Sequence, residues 1–305
     1  MKLHNSTRSA LPDRSILIAF LKFVAVSGSA SVAIRVTYTE LAPLCVATSR
    51  FVIGALAFWI MALFKGIPFP KGRALAFILI GWGLVATPAS RYPILMATVP
   101  LLTIFLSALH GVESIHLRGV LGSLLAVGGI VFTVGGGTTS RLSLPHIAAI
   151  LLAAAFIAEG GVLIKKFPPN PPIMTNAIGM TIGGFILGVT SLVSGEKGTI
   201  PTQTSTVIAL LYLIIFVTIV AFLLYMFVLG KWSASGTSYG FVLLPLVTIV
   251  VAATLAGEKI TWEFLIGAGM VLAGVLIGAL LPSKTNPATL EEFKDRSGQV
   301  LPHCV

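Results

Sequence analysis

The segment from Val99 to Gly129 recurs, mark for mark, from Leu244 to Gly274. Val99-Pro100-Leu101-Leu102-Thr103 corresponds to Leu244-Pro245-Leu246-Val247-Thr248, and Glu113-Ser114-Ile115 to Glu258-Lys259-Ile260. Gly122 and Gly129 correspond to Gly267 and Gly274, and every pair is offset by 145. Apolar residues fill most of the space between these marks in both copies. Two hydrophobic halves with shared punctuation form the pattern of an internally duplicated membrane protein of the transporter type.

Composition supports the lipid environment. Hydrophobic residues make up 56% of the 305 and charged residues 10%, against about 45–50% and about 25% in ordinary soluble proteins. So few charges leave a soluble fold of this size without a polar coat. Long apolar runs without period-2 alternation predict an all-α integral membrane protein rather than a barrel. The net charge of +10 would suggest nucleic acid in a soluble chain. Here the basic residues stand mostly at the ends of apolar runs, where they orient the chain in a bilayer, so no nucleic-acid partner is expected. Cys45 and Cys304 give neither a disulfide framework nor a metal cluster, and Cys304 is not placed for prenylation. The polar stretch before the first apolar run, with no small-residue cleavage site after it, predicts no cleaved signal or transit peptide.

A crossing helix needs about 20 apolar residues. Such runs lie near 15–36, 41–64, 118–137, 146–166, 172–194, 205–230, 236–256 and 261–282. The stretch 74–109 carries one charge, Arg91, and a turn-like Pro88-Ala89-Ser90-Arg91-Tyr92-Pro93, so it reads as one overlong crossing or two short ones. Two crossings make ten helices, with thirteen basic residues inside and five outside (Arg35, Arg91, Arg141, Lys197 and Lys259). One crossing gives nine against eight, so the positive-inside rule favours ten, with both termini cytoplasmic. Five crossings per half is an odd number, which inverts the second half relative to the first. The expected layout is a cytoplasmic segment 1–14, a first repeat 15–137, a second repeat 146–282 and a cytoplasmic tail 283–305. Early in each half Pro43 and Gly54 match Pro172 and Gly183 at an offset of 129 rather than 145. The first half is therefore short by 16 residues between Gly66 and about Ser90. That makes Ala74–Thr87 a shortened third helix.

At these marks the chain resembles the drug/metabolite transporter superfamily, in its EamA-type branch of ten helices built as two five-helix repeats. Gly28-Ser29-Ala30-Ser31-Val32-Ala33-Ile34-Arg35 resembles the end of that family's first helix, and Ala47-Thr48-Ser49-Arg50-Phe51 its second-helix arginine motif. Met96-Ala97-Thr98-Val99-Pro100-Leu101 and its echo around Pro245 resemble the fourth and ninth helices. Glu113 and Glu258 resemble the loops before the fifth and tenth. The resemblance covers about residues 15–282 and implies export or exchange of a small molecule, without fixing which.

Charge inside a bilayer is costly, so each intramembrane charge is a candidate site. Arg50 lies about nine residues from the nearer end of its helix, roughly 14 Å deep. It reads as an anion-binding or counter-ion arginine in a central cavity, or as a structural arginine with its own partner. Glu159, followed by Gly160-Gly161, reads as a proton carrier whose ionisation follows its exposure, or as an ion-pair partner of Lys22. Lys22 by itself reads as a snorkelling lysine. Pro100 and Pro245 are expected in equivalent helix interiors, kinking a cavity wall, with Thr103 and Thr248 one turn on and Tyr239 near the same surface. The glycine spacings Gly179/Gly183, Gly184/Gly188 and Gly274/Gly278 allow close helix approach within the chain or at a homodimer face. No catalytic constellation, cofactor site or metal site is present in the sequence, and the histidines are scattered.

These features predict a secondary transporter of a small polar metabolite or drug in the cell membrane, working by alternating access and proton-coupled through Glu159. The rival expectation is a non-transporting scaffold, receptor or degenerate paralogue, motivated by the short third helix.

Overall fold

The computed structural model describes residues 12–70, 97–135, 144–166, 171–196, 198–256 and 261–280. Within them every regular element is helical. They are α1 (Arg14–Thr37), α2 (Pro43–Phe64), α3 (Val99–Leu109), α4 (Leu117–Gly135), α5 (Leu144–Lys166) and α6 (Pro172–Val193). Then come α7 (Thr204–Lys231), α8 (Ala234–Ala256) and α9 (Trp262–Leu280). Among the described residues six helices are long and apolar enough to cross a membrane: α1, α2, α6, α7, α8 and α9, the last two over Ala234–Thr254 and Trp262–Leu280. Their exposed surface is lined with large apolar side chains such as Leu63, Phe64, Phe185 and Leu192, as lipid-facing helices require. The shortened third helix expected at Ala74–Thr87, the turn at Arg91 and the tail 283–305 lie outside the described residues.

Helix ends are set by backbone accounting, since each terminus leaves four groups without an intrahelical partner. The C-termini of α2, α3 and α6 close alike, each on a glycine with positive φ: Gly66, Gly111 and Gly195. In each case the next residue donates its N–H back across the turn, Ile67 to Ala62 O, Val112 to Ser107 O and Glu196 to Ser191 O, at 2.8–3.1 Å. N-termini are closed by carboxylates reaching from other loops. Glu113 accepts from Ala234 N at 2.6 Å and from Ser235, closing α8. Glu196 accepts from Leu44 N at 3.2 Å and Cys45 N at 3.0 Å, closing α2. Glu40 accepts from Thr202 N at 2.6 Å and Gln203 N at 3.2 Å, closing α7. Asp13 caps its own helix through Arg14 N.

Helix α8 sits at the centre. It is apolar on all faces, as a helix surrounded by others must be, and it touches α1, α3, α4, α5, α7 and α9. The closest pairings are α2 with α6 and α4 with α9. Glycines line both. Along the first, Gly54 faces Thr218 and Met180, Gly184 faces Val52, and Gly188 faces Thr48. Along the second, a Cβ on Gly122 would stand 2.6 Å from Gly274 O, and one on Gly129 2.6 Å from Gly267 O. Low residue numbers of α4 meet high numbers of α9, so the two helices run antiparallel. The glycine spacings are thus used inside the chain.

Candidate functional site

Among the polar groups of the described interior, two clusters stand out as candidates, one against α7 and one joining α3 to α5. The first forms where α1, α2 and α8 meet α7. Between Leu213 and Val220, α7 widens into a π-helical stretch. There Thr218 donates its hydroxyl hydrogen to Leu213 O at 2.9 Å and accepts from Arg50 Nε at 3.2 Å. One hydroxyl therefore adds a bond to a carbonyl of the π stretch and anchors the guanidinium. Close by, Tyr212 pairs with Ser29 Oγ at 2.5 Å. On α1 the glycine at 28 lets α8 approach, a Cβ there meeting Val247 Cβ at 2.5 Å. Across that contact Thr248 donates to Gly28 O at 2.7 Å and pairs with Ser31 Oγ at 3.2 Å. The segment Gly28–Ser31 thus touches both α7 and α8.

The second cluster lies at the end of the bundle where α3 and α5 finish. His110 Nε2 stands 2.7 Å from Glu159 Oε1, and Lys166 Nζ stands 3.4 Å from His110 Nδ1. The other carboxylate oxygen, Glu159 Oε2, is buried without a hydrogen-bond partner. Gly161 leaves room for Tyr225, whose hydroxyl oxygen lies 3.1 Å from where a Cβ would stand. Tyr225 also packs against Phe23 and Phe241, with ring centroids 5.5 and 6.0 Å away. Seven residues of α7 separate Thr218 from Tyr225, roughly 10 Å at 1.5 Å per residue.

Several sequence expectations change. Glu159 is partnered by His110, and Lys22 stands exposed on α1, so the Glu159–Lys22 ion pair is not formed. The imidazole at the end of α3 holds one carboxylate oxygen, and the exposed ammonium of Lys22 keeps its hydration instead. Pro100 sits in the first turn of α3 rather than in a helix interior, where its missing N–H costs nothing. Pro245 lies inside α8 as expected and is buried. Thr103, its own hydroxyl bonded to Val99 O at 2.8 Å, is buried against its own helix, whereas its counterpart Thr248 reaches α1. Tyr239 is fully buried with its hydroxyl on Gly119 O at 2.8 Å and Ser123 Oγ at 2.9 Å. It locks α8 to α4 and leans on Gly278 of α9. Sequence reasoning missed His110, Thr218, Tyr212 and Ser29. Thr218 was legible as a lone polar residue within Leu213–Val220, whereas nothing local ties His110 to a carboxylate 49 positions away.

Comparison with known proteins accords with this geometry. The EamA-like transporter family matches residues 14–135 and again 144–279. An uncharacterized inner membrane transporter of Escherichia coli K12, YedA, is 29% identical over 89% of this chain and 94% of its own. A probable amino-acid metabolite efflux pump of Salmonella typhimurium is 28% identical over 84% of this chain and 92% of its own. A probable terminal-alkyne amino-acid exporter of Streptantibioticus cattleyicolor is 25% identical over 82% and 88%. A crystal structure 15% identical superposes with a TM-score of 0.73 over 87% of this chain and 96% of that one, which shows a shared fold. With both halves matched, this integral membrane protein belongs to the EamA-like transporter family, within the drug/metabolite transporter superfamily.

Proposed function

We propose that the chain is a secondary transporter that exports or exchanges a small polar metabolite by alternating access between two inverted five-helix repeats. The proposed orientation has ten crossings and both termini on the cytoplasmic side of the inner membrane. One observation carries the reading. Gly122 and Gly129 are the sequence counterparts of Gly267 and Gly274, and in space they meet in exchanged order, Gly122 with Gly274 and Gly129 with Gly267. Exchange of equivalent partners across an antiparallel contact is what a two-fold axis in the membrane plane produces. The pairings of α1 with α8 and α3 with α5 are each other's images under the same operation, which supports it further.

Substrate would bind near the axis, between Arg50 and the Ser29–Tyr212 and Ser31–Thr248 pairs. Arg50 spends Nε on Thr218, and its two terminal nitrogens suit a carboxylate. The names of two relatives, an amino-acid metabolite efflux pump and an amino-acid exporter, support an amino-acid-like substrate. Glu159 is the proposed proton site, because it is the described carboxylate inside a helix that closes no helix end.

Counterflow in proteoliposomes loaded with a mixture of unlabelled amino acids tests this. Labelled amino acid should enter against its gradient, and Arg50→Lys should cut the rate at least tenfold. Glu159→Gln should keep exchange but lose uptake driven by a pH gradient. Coupling that persists in Glu159→Gln removes Glu159 from the mechanism.

A further inference from the structure

His110 touches both Glu159 Oε1 and Lys166, and so joins the carboxylate, whose Oε2 is buried, to the basic end of the bundle. The sequence places the histidine at the last residue before Gly111, and the positive φ of that glycine (66°) turns the chain sharply. The turn leaves His110 on α5 while Glu113, three residues on, reaches α8. The Lys166 ammonium can only donate, so its 3.4 Å contact fits a neutral imidazole that accepts at Nδ1. That tautomer carries its hydrogen on Nε2, which stands 2.7 Å from Glu159 Oε1. The three groups form a line from an exposed lysine to a half-buried carboxylate.

We infer that His110 is the proton-exchanging partner of Glu159, a Lys166–His110–Glu159 relay that loads the carboxylate from the aqueous end. The inference rests on the proposed role of Glu159 as proton site. When Lys166 swings away, Nδ1 takes a proton from water and His110 becomes imidazolium. The Nε2 proton passes to Glu159 Oε1, leaving a neutral carboxylic acid and a neutral imidazole protonated on Nδ1. One proton enters and one arrives, with no other reactant. The neutral acid can then be carried through low dielectric where the carboxylate cannot. Once Glu159 has released its proton on the other side, His110 gives the Nδ1 proton to water and takes one at Nε2 from water, with no net proton change, and Lys166 returns to Nδ1.

Among the described residues the charged and titratable neighbours are these. On α5 they are Lys165 and Lys166, and Glu113 on the α3–α4 loop attracts Lys165. From α7 the neighbour is Tyr225, beside Gly161. From α8, Phe241, which does not titrate, packs against the cluster that contains Ala158.

The test uses the full-length protein in lipid nanodiscs, followed by infrared absorption of protonated carboxylic acid across a pH titration and after a pH jump. ¹⁵N NMR of labelled histidine reads the tautomer alongside. A carboxylic-acid band lost in Glu159→Gln is the starting requirement; a band unchanged in that variant overturns the Glu159 role and the relay with it. Given the band, His110→Gln retains a hydrogen-bond donor but cannot titrate. It should slow the appearance of the band after the pH jump about 10²-fold. Lys166→Met should shift neutral His110 toward the Nδ1–H tautomer. A band present in wild type whose rate of appearance is unmoved by His110→Gln overturns the relay alone, as does an Nδ1–H tautomer in the wild type.

Discussion

Glu40, Glu113 and Glu196 act alike, each carboxylate receiving backbone N–H groups from the start of a helix distant in sequence. Such a group satisfies orphan donors and meets the positive end of the helix dipole. Glu113→Ala leaves Ala234 N and Ser235 N without their acceptor, and is expected to cost about 1–2 kcal/mol in chemical unfolding in detergent. Glu40 lies outside the spans, and hydrogen bonds from the side chain and N–H of Thr202 hold its carboxyl down at about 2 instead of 4.5. A folded-state value below the unfolded one gives stability that is complete above about pH 4.5 and drains as the pH falls toward 2. Thermal unfolding should therefore weaken across that window, and Glu40→Gln should flatten the slope. Residues of this kind were only partly readable beforehand. Glu113 announced itself by repeating at Glu258, whereas Glu40 and Glu196 act across 162 and 152 positions with no local pattern.

Helices were the most legible level. Eight expected apolar runs reappear as helices over the residues described, because in lipid the apolar run and the hydrogen-bonded segment must coincide. Val99–Leu109 was harder, since the apolar sequence continues on its N-terminal side and Pro100 opens a helix instead of kinking one. The π stretch of α7 was not legible at all; within it Thr218 bonds Leu213 O and Arg50 at once, contacts that no local pattern announces. The glycine contacts make a sharp comparison within one pair of helices. A Cβ on Gly129 would lie 2.6 Å from Gly267 O and 2.9 Å from Val271 N, whereas at Gly269 nothing lies within 4 Å. Gly129→Ala should destabilise by about 1–3 kcal/mol through overpacking, and Gly269→Ala should be neutral or mildly stabilising, both read from denaturation in detergent.

For the molecule as a whole, ten crossings demand that both ends of the chain emerge on one side. Cysteine labels at Ser6 and Ser297, in a background lacking Cys45 and Cys304, should react with an impermeant reagent from the same face of oriented vesicles. Labels on opposite faces would exclude the inverted pairing. The duplication itself was plain in the sequence, but how the halves meet was not, because an offset of 145 says which residues correspond and nothing about which touch. Contact between α4 and α9 answers that, and it restricts motion. Where backbone lies on backbone at four glycines, sliding one helix lengthwise past the other drives a neighbouring side chain into a carbonyl after a single residue. If the two halves rock as proposed, this seam is the axle: the distance between them there stays fixed while everything farther out opens and closes.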